Sequence, residues 1–404
     1  MNTLRILTIA WRIGLIASLS ACSFRLPVAL QTPKQLSQHQ ILVTLPERDQ
    51  RYWPQIAKAI AEDYQLEMAG EFPLASIGLD CLVFKVPNYW SMPALLKSLQ
   101  EDERVVLAQQ NQVFDSQQSD FAQAFADLSY APALMHADRA HKLATGKGVK
   151  IAVIDTGADY RHPELSTTIA EKLNFVDGGD KSFGRDKHGT AVSGVIGASA
   201  GNGIGIDGIA PDAEIIVLKS CWYDESGSAG AKCSSWSLAK ALDAAIAQGV
   251  QIANLSLAGP YDPLLEKLLQ EANRRSINLV AATLEKSPQP GFPAQLDFVV
   301  PVISAKRDGT VSRPGWLPQV PAAVAAPGVE IVTTAPGSGY DVVSGSSLAA
   351  AHVTGVIALL LERDRALLPA TIQRILAAAS HQAGQPQSID ACRVLEALDA
   401  NGGC

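Results

Sequence analysis

The spacing of apolar positions changes repeatedly along this chain, and each change marks an element. "ILVTL" (Ile41 to Leu45) is an apolar run of strand length, whereas Trp53, Ile56, Ala57, Ile60, Ala61 and Tyr64 recur at helical spacing. "CLVFKV" (Cys81 to Val86) alternates with Leu82, Phe84 and Val86 on one face, the pattern of a half-buried strand. Ser91 precedes a second helix carrying Leu95, Leu96 and Leu99, and "VVLAQQNQVF" (Val105 to Phe114) reads as one closing strand. The series predicts a small α+β domain of ferredoxin-like type over residues 39–115. Periodicity is then lost in "DSQQSDFAQAFAD", which predicts an exposed linker over residues 116–130. Beyond it, continuous apolar runs alternate with helical stretches: "VKIAVI", "AEIIVLKS", "VQIANLSL", "INLVAA" and "FVVPVIS", with helices at Ser237 to Gln248 and Pro263 to Arg275. Strands apolar on both faces and joined through helices predict a doubly wound, mainly parallel α/β sheet over residues 131–404.

Composition narrows the classes. With 47% hydrophobic and 18% charged residues the chain is globular. A formal charge of −7 and the absence of any basic run argue against nucleic acid as a partner. At the N-terminus, Arg5 and Arg12 are followed by the apolar run Ile13 to Leu19 and then small residues, the order of an export signal over residues 1–21. The apolar run is too short to span a bilayer. "LSAC" (Leu19 to Cys22) resembles a bacterial lipobox, which implies lipidation of Cys22, a tether over residues 22–38, and attachment to the cell envelope through an N-terminal lipid anchor. Ser23 fits the outer-membrane sorting pattern. Export implies an oxidising compartment, where Cys221 with Cys233 and Cys392 with Cys404 are natural local bridges and Cys81 is left over. No close Cys or His pair has zinc spacing.

In a doubly wound sheet, chemistry gathers at the carboxyl ends of the strands. "IAVIDTGADYRHPEL" places Asp155 at such an end, "KHGTAVSGVIG" places His188 at a helix start, and "VSGSSLAAAHVTG" places Ser347 at another. Taken singly, Asp155 suits a turn, His188 a satisfied structural histidine and Ser347 a helix cap. "DTG" also occurs in aspartic peptidases, but those need a second such loop and this chain has none. Together the three stand in the chain order Asp, His, Ser, which is the order in subtilisin.

Residues from about Leu134 to Ala358 resemble the subtilisin-like serine peptidases, the subtilases. Besides the three motifs, "GNGIGIDGIAPDAEIIVLK", "NLSLAG", "GFPA" and "AAPGVEI" follow in the family's order, with "AAAH" where Ala-Ala-Pro-His is usual. The resemblance implies a serine endopeptidase that needs no cofactor for its chemistry. Ser347 attacks the peptide carbonyl, His188 carries the proton, Asp155 orients the imidazole, and the Ser347 backbone N–H at the helix N-terminus faces the oxyanion. Ser344 and Ser346 are expected to serve the backbone, and His352 to pack. A peptide or protein substrate is expected to lie extended against Ser256, Leu257, Ala258 and Gly259, with a further contact after Ser237. The small first domain resembles the intramolecular propeptides of subtilases, which cover the site until cleaved, so the chain is expected to be a zymogen cut in its linker.

Two places depart from, or qualify, the family pattern. Where subtilases supply an asparagine side chain to the oxyanion, this chain reads "LVAATLEKSPQPGFPA", and the position falls on Leu284 or Glu285. Glu285, if held protonated by apolar neighbours, is one candidate donor in its place, and Thr283 another. "GNGIGI" resembles the family's calcium loop, with Glu164 and Asn202 as the expected ligands of a structural calcium ion. The missing amide also supports a rival reading, a subtilase-shaped binding or scaffolding lipoprotein with little turnover.

Overall fold

A computed structural model describes residues 39–116, 119–120, 129–177, 179, 182–223, 230–382, 385–398 and 404. The first domain is built from β1 (Gln40–Pro46), α1 (Trp53–Asp63), β2 (Glu67–Leu74), β3 (Leu79–Lys85), α2 (Met92–Gln100) and β4 (Leu107–Gln110). Its sheet has the order β2-β3-β1-β4, antiparallel throughout, which is the ferredoxin-like arrangement. Strand alternation gives the sheet two apolar faces. Ile41, Val43, Leu82 and Phe84 pack on Ala57, Ile60, Leu95 and Leu99 of the two helices. On the other face, Leu42, Cys81 and Val83 belong to a core shared with the large domain.

The predicted closing strand is broken. It splits into β4 and β5 (Val113–Ser116), because at Asn111 and Gln112 the chain crosses to the large domain. There Gln112 N–H donates to Ser235 Oγ at 2.8 Å, and Ser235 N–H donates back to Gln112 O at 3.0 Å. The expected exposed linker is likewise corrected at its start, since Ser116 and the short β6 (Ser119–Asp120) are strand-paired with the large domain.

The large domain follows the predicted alternation. It runs β7 (Lys150–Asp155), β8 (Ile169–Asn174), α3 (Lys187–Gly197), β9 (Glu214–Lys219), β10 (Cys221–Tyr223), β11 (Ala231–Ser234), α4 (Ser235–Ala247), β12 (Ile252–Leu255), β13 (Leu257–Ala258), α5 (Pro263–Arg274), β14 (Asn278–Ala282), β15 (Val299–Ala305), β16 (Val324–Pro327), β17 (Ile331–Ala335), β18 (Gly339–Ser344), α6 (Ser346–Arg363) and α7 (Pro369–Ala379). Seven parallel strands in the order β16-β15-β14-β12-β7-β9-β8 make the central sheet. Helices cover both faces: Ile151 and Val153 of β7 face the core containing α3 and α6, while Ala152 and Ile154 face the core containing α4 and α5. Residues Ser346 to Leu361 of α6 are all buried, which is why this helix is apolar all round rather than striped. The helices α4 and α5 start on side-chain caps. Ser234 and Ser237 form a capping box, and Asp262 accepts from Leu264 N–H and Leu265 N–H. Leu238, Leu242, Leu264 and Leu268 of these helices belong to the core shared with the first domain, each worth about 1.5–3 kcal/mol of apolar burial.

Candidate active site

β7 ends on Asp155, whose Oδ1 lies 2.7 Å from His188 Nδ1, with both side chains almost wholly buried. The same Oδ1 accepts Thr156 N–H at 2.6 Å, which leaves the carboxylate little freedom to turn. His188 is the second residue of α3, and the first turn of that helix is held against the loop after β7. Gly189 N–H donates to Thr156 Oγ1 at 2.9 Å. A Cβ at Gly189 would lie 2.5 Å from Gly157 O, so only glycine allows this approach. Behind the pair sits a buried ion pair. Asp186, the N-cap residue of α3, receives Lys219 Nζ and also Gly157 N–H at 2.9 Å. Burial pushes the Asp186 carboxyl up, and the Lys219 ammonium pulls against that shift. The other imidazole nitrogen, His188 Nε2, is buried with no hydrogen-bond partner among the described residues. A buried ring nitrogen left unpaired is costly, and the cost is explained if that nitrogen exchanges a proton.

Ser347 is fully buried as the second residue of α6, which packs on α3. A chain of side chains sets its helix turn: Thr354 Oγ1 donates to Asn254 Oδ1 at 3.0 Å, Asn254 Nδ2 to Ser256 Oγ at 2.8 Å, and Ser256 Oγ to Ser347 O at 3.0 Å. The Ser256 hydroxyl therefore fixes the serine turn. Ser346 Oγ donates to Thr283 O at 2.9 Å and Ser344 Oγ accepts Glu330 N–H at 2.8 Å, so both serve the backbone. His352 Nδ1 lies 2.9 Å from Leu348 O, and burial lowers its pKa to about 4, as suits a neutral packing residue.

The opposite wall is a cavity of about 500 Å³ lined by Thr283, Leu284, Glu285, Ser304, Gly328 and Ser346. Of the two expected substitutes for the asparagine, Thr283 is not placed as a donor to the cleft. Thr283 Oγ1 donates its one proton to Val302 O at 2.7 Å, inside the sheet. Glu285 Oε1 accepts Ser304 N–H at 2.6 Å, which ties one of its two oxygens to the sheet.

Of the expected peptide-binding residues, Leu257 and Ala258 do pair with an extended strand, and it is the chain's own: Leu257 stands opposite Ser116 and Ala258 opposite Asp115 of β5, antiparallel. Gly259 instead exchanges both backbone hydrogen bonds with Phe292, at 2.9 and 3.0 Å. The second edge is β11, ahead of the expected contact after Ser237. Lys232, Cys233 and Ser234 stand opposite Asp115, Phe114 and Val113. Its signal in the sequence was the short run "AKCS" ending at the helix cap. Beyond β5, Ser119 and Asp120 of β6 pair with Ser344 and Val343, immediately before Ser347.

Both cysteine pairs are bridged, Cys221 with Cys233 and Cys392 with Cys404, and Cys81 is buried and unbridged. Cys22 and the export segment lie outside the described residues. No helix among the described residues is long and apolar enough to cross a membrane. The calcium expectation does not fit the donor set. The buried Glu164 carboxylate accepts Asn202 Nδ2–H at 2.8 Å, Ile206 N–H at 3.0 Å and Tyr340 O–H at 2.9 Å, and Asn202 Oδ1 accepts Ile204 N–H at 3.0 Å. Three hydrogen donors converge where a calcium ion would need oxygen lone pairs.

Comparison with known proteins agrees with this geometry. A family model described as "Subtilase family" matches residues 146–392. The thermophilic serine proteinase of Bacillus sp. (strain AK1) is 32% identical over 289 residues, covering 70% of this chain and 69% of its own. Thermitase of Thermoactinomyces vulgaris is 33% identical over 244 residues, covering 60% of this chain and 85% of its own. The crystal structure of fervidolysin from Fervidobacterium pennivorans, a keratinolytic enzyme related to subtilisin, superposes with a TM-score of 0.70 at 21% identity. That superposition covers 89% of this chain and 61% of fervidolysin, and it bears on the fold alone. With more than half of its length matched by the family model, this chain belongs to the subtilase family of serine peptidases.

Proposed function

We propose that the chain is a serine endopeptidase made as an exported zymogen, with Asp155, His188 and Ser347 as its catalytic triad. The observation that carries the reading is the Asp155–His188 contact at 2.7 Å with His188 Nε2 left as an unpaired buried base. In this scheme the Ser347 hydroxyl attacks the scissile carbonyl as Nε2 takes its proton. The tetrahedral oxyanion is met by the Ser347 N–H at the positive end of α6. His188 then returns the proton to the leaving amine, and water cleaves the acyl-enzyme by the same route. Asp155 holds the Nδ1–H tautomer and steadies the imidazolium. No calcium and no other cofactor takes part.

The first domain is assigned as the propeptide. β5 lies where a substrate strand would, between β11 and β13, and β6 continues on β18 next to Ser347. The processing bond is therefore assigned between Ser116 and Ser119, near the start of the predicted linker. Cys22 is assigned as the lipidated residue that anchors the exported zymogen to the cell envelope, the outer membrane if the host has one, and a cut between Ser116 and Ser119 leaves that anchor on the propeptide. The rival reading, a binding or scaffolding lipoprotein, is favoured by one observation, the lack of a side-chain amide on the oxyanion wall. The mass of the chain recovered from its host separates the two. The zymogen reading predicts a cut between Ser116 and Ser119 in the wild type, an intact chain in Ser347→Ala, and a diacylglyceryl mass on Cys22. A wild-type chain that stays intact and fails to hydrolyse unfolded protein would leave the scaffold.

A further inference from the structure

We propose that the hairpin β10–β11, locked by Cys221–Cys233, is a positioning clamp that transmits occupancy of the peptide cleft to His188 through Tyr223. The inference rests on the endopeptidase reading above. One strand of the hairpin is the cleft edge: β11 pairs with the occupying strand at Lys232, Cys233 and Ser234. The other strand touches the proton carrier: Tyr223 on β10 offers its hydroxyl oxygen to His188 N–H at 2.7 Å, in the first turn of α3. The two strands meet at Cys221 opposite Cys233, and the disulfide joins that pair covalently. The root of β10 is also tied to the site. Ser220 N–H donates to Asp155 O at 2.8 Å, and Ser220 O accepts Ser237 Oγ–H at 2.6 Å.

A two-stranded hairpin alone is barely stable in water. With a peptide in the cleft it becomes part of the four-stranded sheet β10-β11-peptide-β13, the place held by β5 in the complete chain. Main-chain pairing at positions remote from the scissile bond thus stiffens β11. The cystine carries that stiffness to β10, and Tyr223 presses the α3 turn into place. Binding energy from the far end of the peptide is spent on orienting the proton carrier, which raises kcat and not affinity alone. Tyr223 is a positioning residue that acts through His188.

The test compares two fluorogenic peptides on the processed enzyme. One stops short of the β11-paired positions, and the other is extended by three residues to reach them. In the wild type, kcat on the long peptide should exceed that on the short one by about tenfold, the scale of one well-placed hydrogen bond. In Tyr223→Phe, which removes a single oxygen and keeps the ring, the ratio of the two kcat values should collapse toward one while KM on the long peptide changes little. The double variant Cys221→Ser/Cys233→Ser should collapse the ratio and also raise KM. So should treating the wild type with a dithiol, which reduces the bridge to two thiols and is itself oxidised to a cyclic disulfide. Labelling by a fluorophosphonate confirms that each variant is folded, and Tyr223→Phe decides alone if the cysteine variant is not. A wild-type ratio preserved in Tyr223→Phe would overturn the clamp and leave the peptidase intact. A wild type inactive on both peptides would overturn the peptidase reading and the clamp with it.

Discussion

The two walls of the cleft are built on different principles. On the wall of β7 and α3 the polar groups next to the histidine are committed: Asp155 to His188 and Thr156, Asp186 to Lys219 and Gly157, Gly189 to Thr156. Among the described residues, His188 Nε2 is left without a partner beside them, and it is the group that proton transfer needs. On the wall of β14 and β15 the polar groups are also committed, but to the sheet, with Thr283 bonded to Val302 and Glu285 to Ser304. Among the described residues, no side-chain amide stands there to meet a developing negative charge. The difference teaches that nucleophile activation and charge stabilisation are separable in this fold. Here the first is complete, while the second falls to the backbone at the start of α6.

Four substitutions probe that contrast. The largest effect is expected for Ser347→Ala, a loss on the order of 10⁶ in kcat, the size known for subtilisin when its serine is removed. Turnover measured on a protein substrate checks it. Next, Lys219→Met strands the buried Asp186 carboxylate behind the complete wall. Breaking a buried pair from one side costs about 3–5 kcal/mol, read as a fall in melting temperature together with activity. On the incomplete wall the sign reverses. Replacing Leu284 or Glu285 by Asn should return an amide to the oxyanion and raise kcat by about 10- to 100-fold at the position that faces the cleft, since such a donor is worth about 10²–10³ in subtilisin. No gain at either position would mean that this wall is not where the oxyanion forms.

The smallest effect concerns the cover. Asp80 of β3 is fully buried, and burial first, then the Glu71 carboxylate, pushes its carboxyl up to about 7. The folded state thus binds this proton more tightly than the unfolded state. The stabilising contribution is full below the ordinary carboxylate range and is lost as pH rises through about 7. Melting of the Ser347→Ala chain, which keeps its cover, should therefore fall between about pH 4 and pH 7, and Asp80→Asn should flatten that slope.

Much of the complete wall was legible because its signals are local. Asp155 follows a strand-length apolar run, and His188 and Ser347 open helices. What was not legible is set by partners far away in sequence. The break at Asn111 and Gln112 is imposed by Ser235, and the pairing of Ser116 and Ser119 by Leu257 and Ser344. Ser256 sits in a peptide-binding motif, yet its hydroxyl is claimed by Ser347 O. The calcium motif reads the same whether Glu164 binds a cation or Tyr340, and Tyr340 stands 176 residues away.

The central claim, that Asp155 and His188 activate Ser347, is tested most directly by labelling the purified, processed protein with a fluorophosphonate and mapping the adduct by mass spectrometry. The account predicts one adduct, on Ser347, which disappears in His188→Ala. A folded wild-type enzyme that acquires no adduct there, or acquires it equally without the histidine, would contradict it.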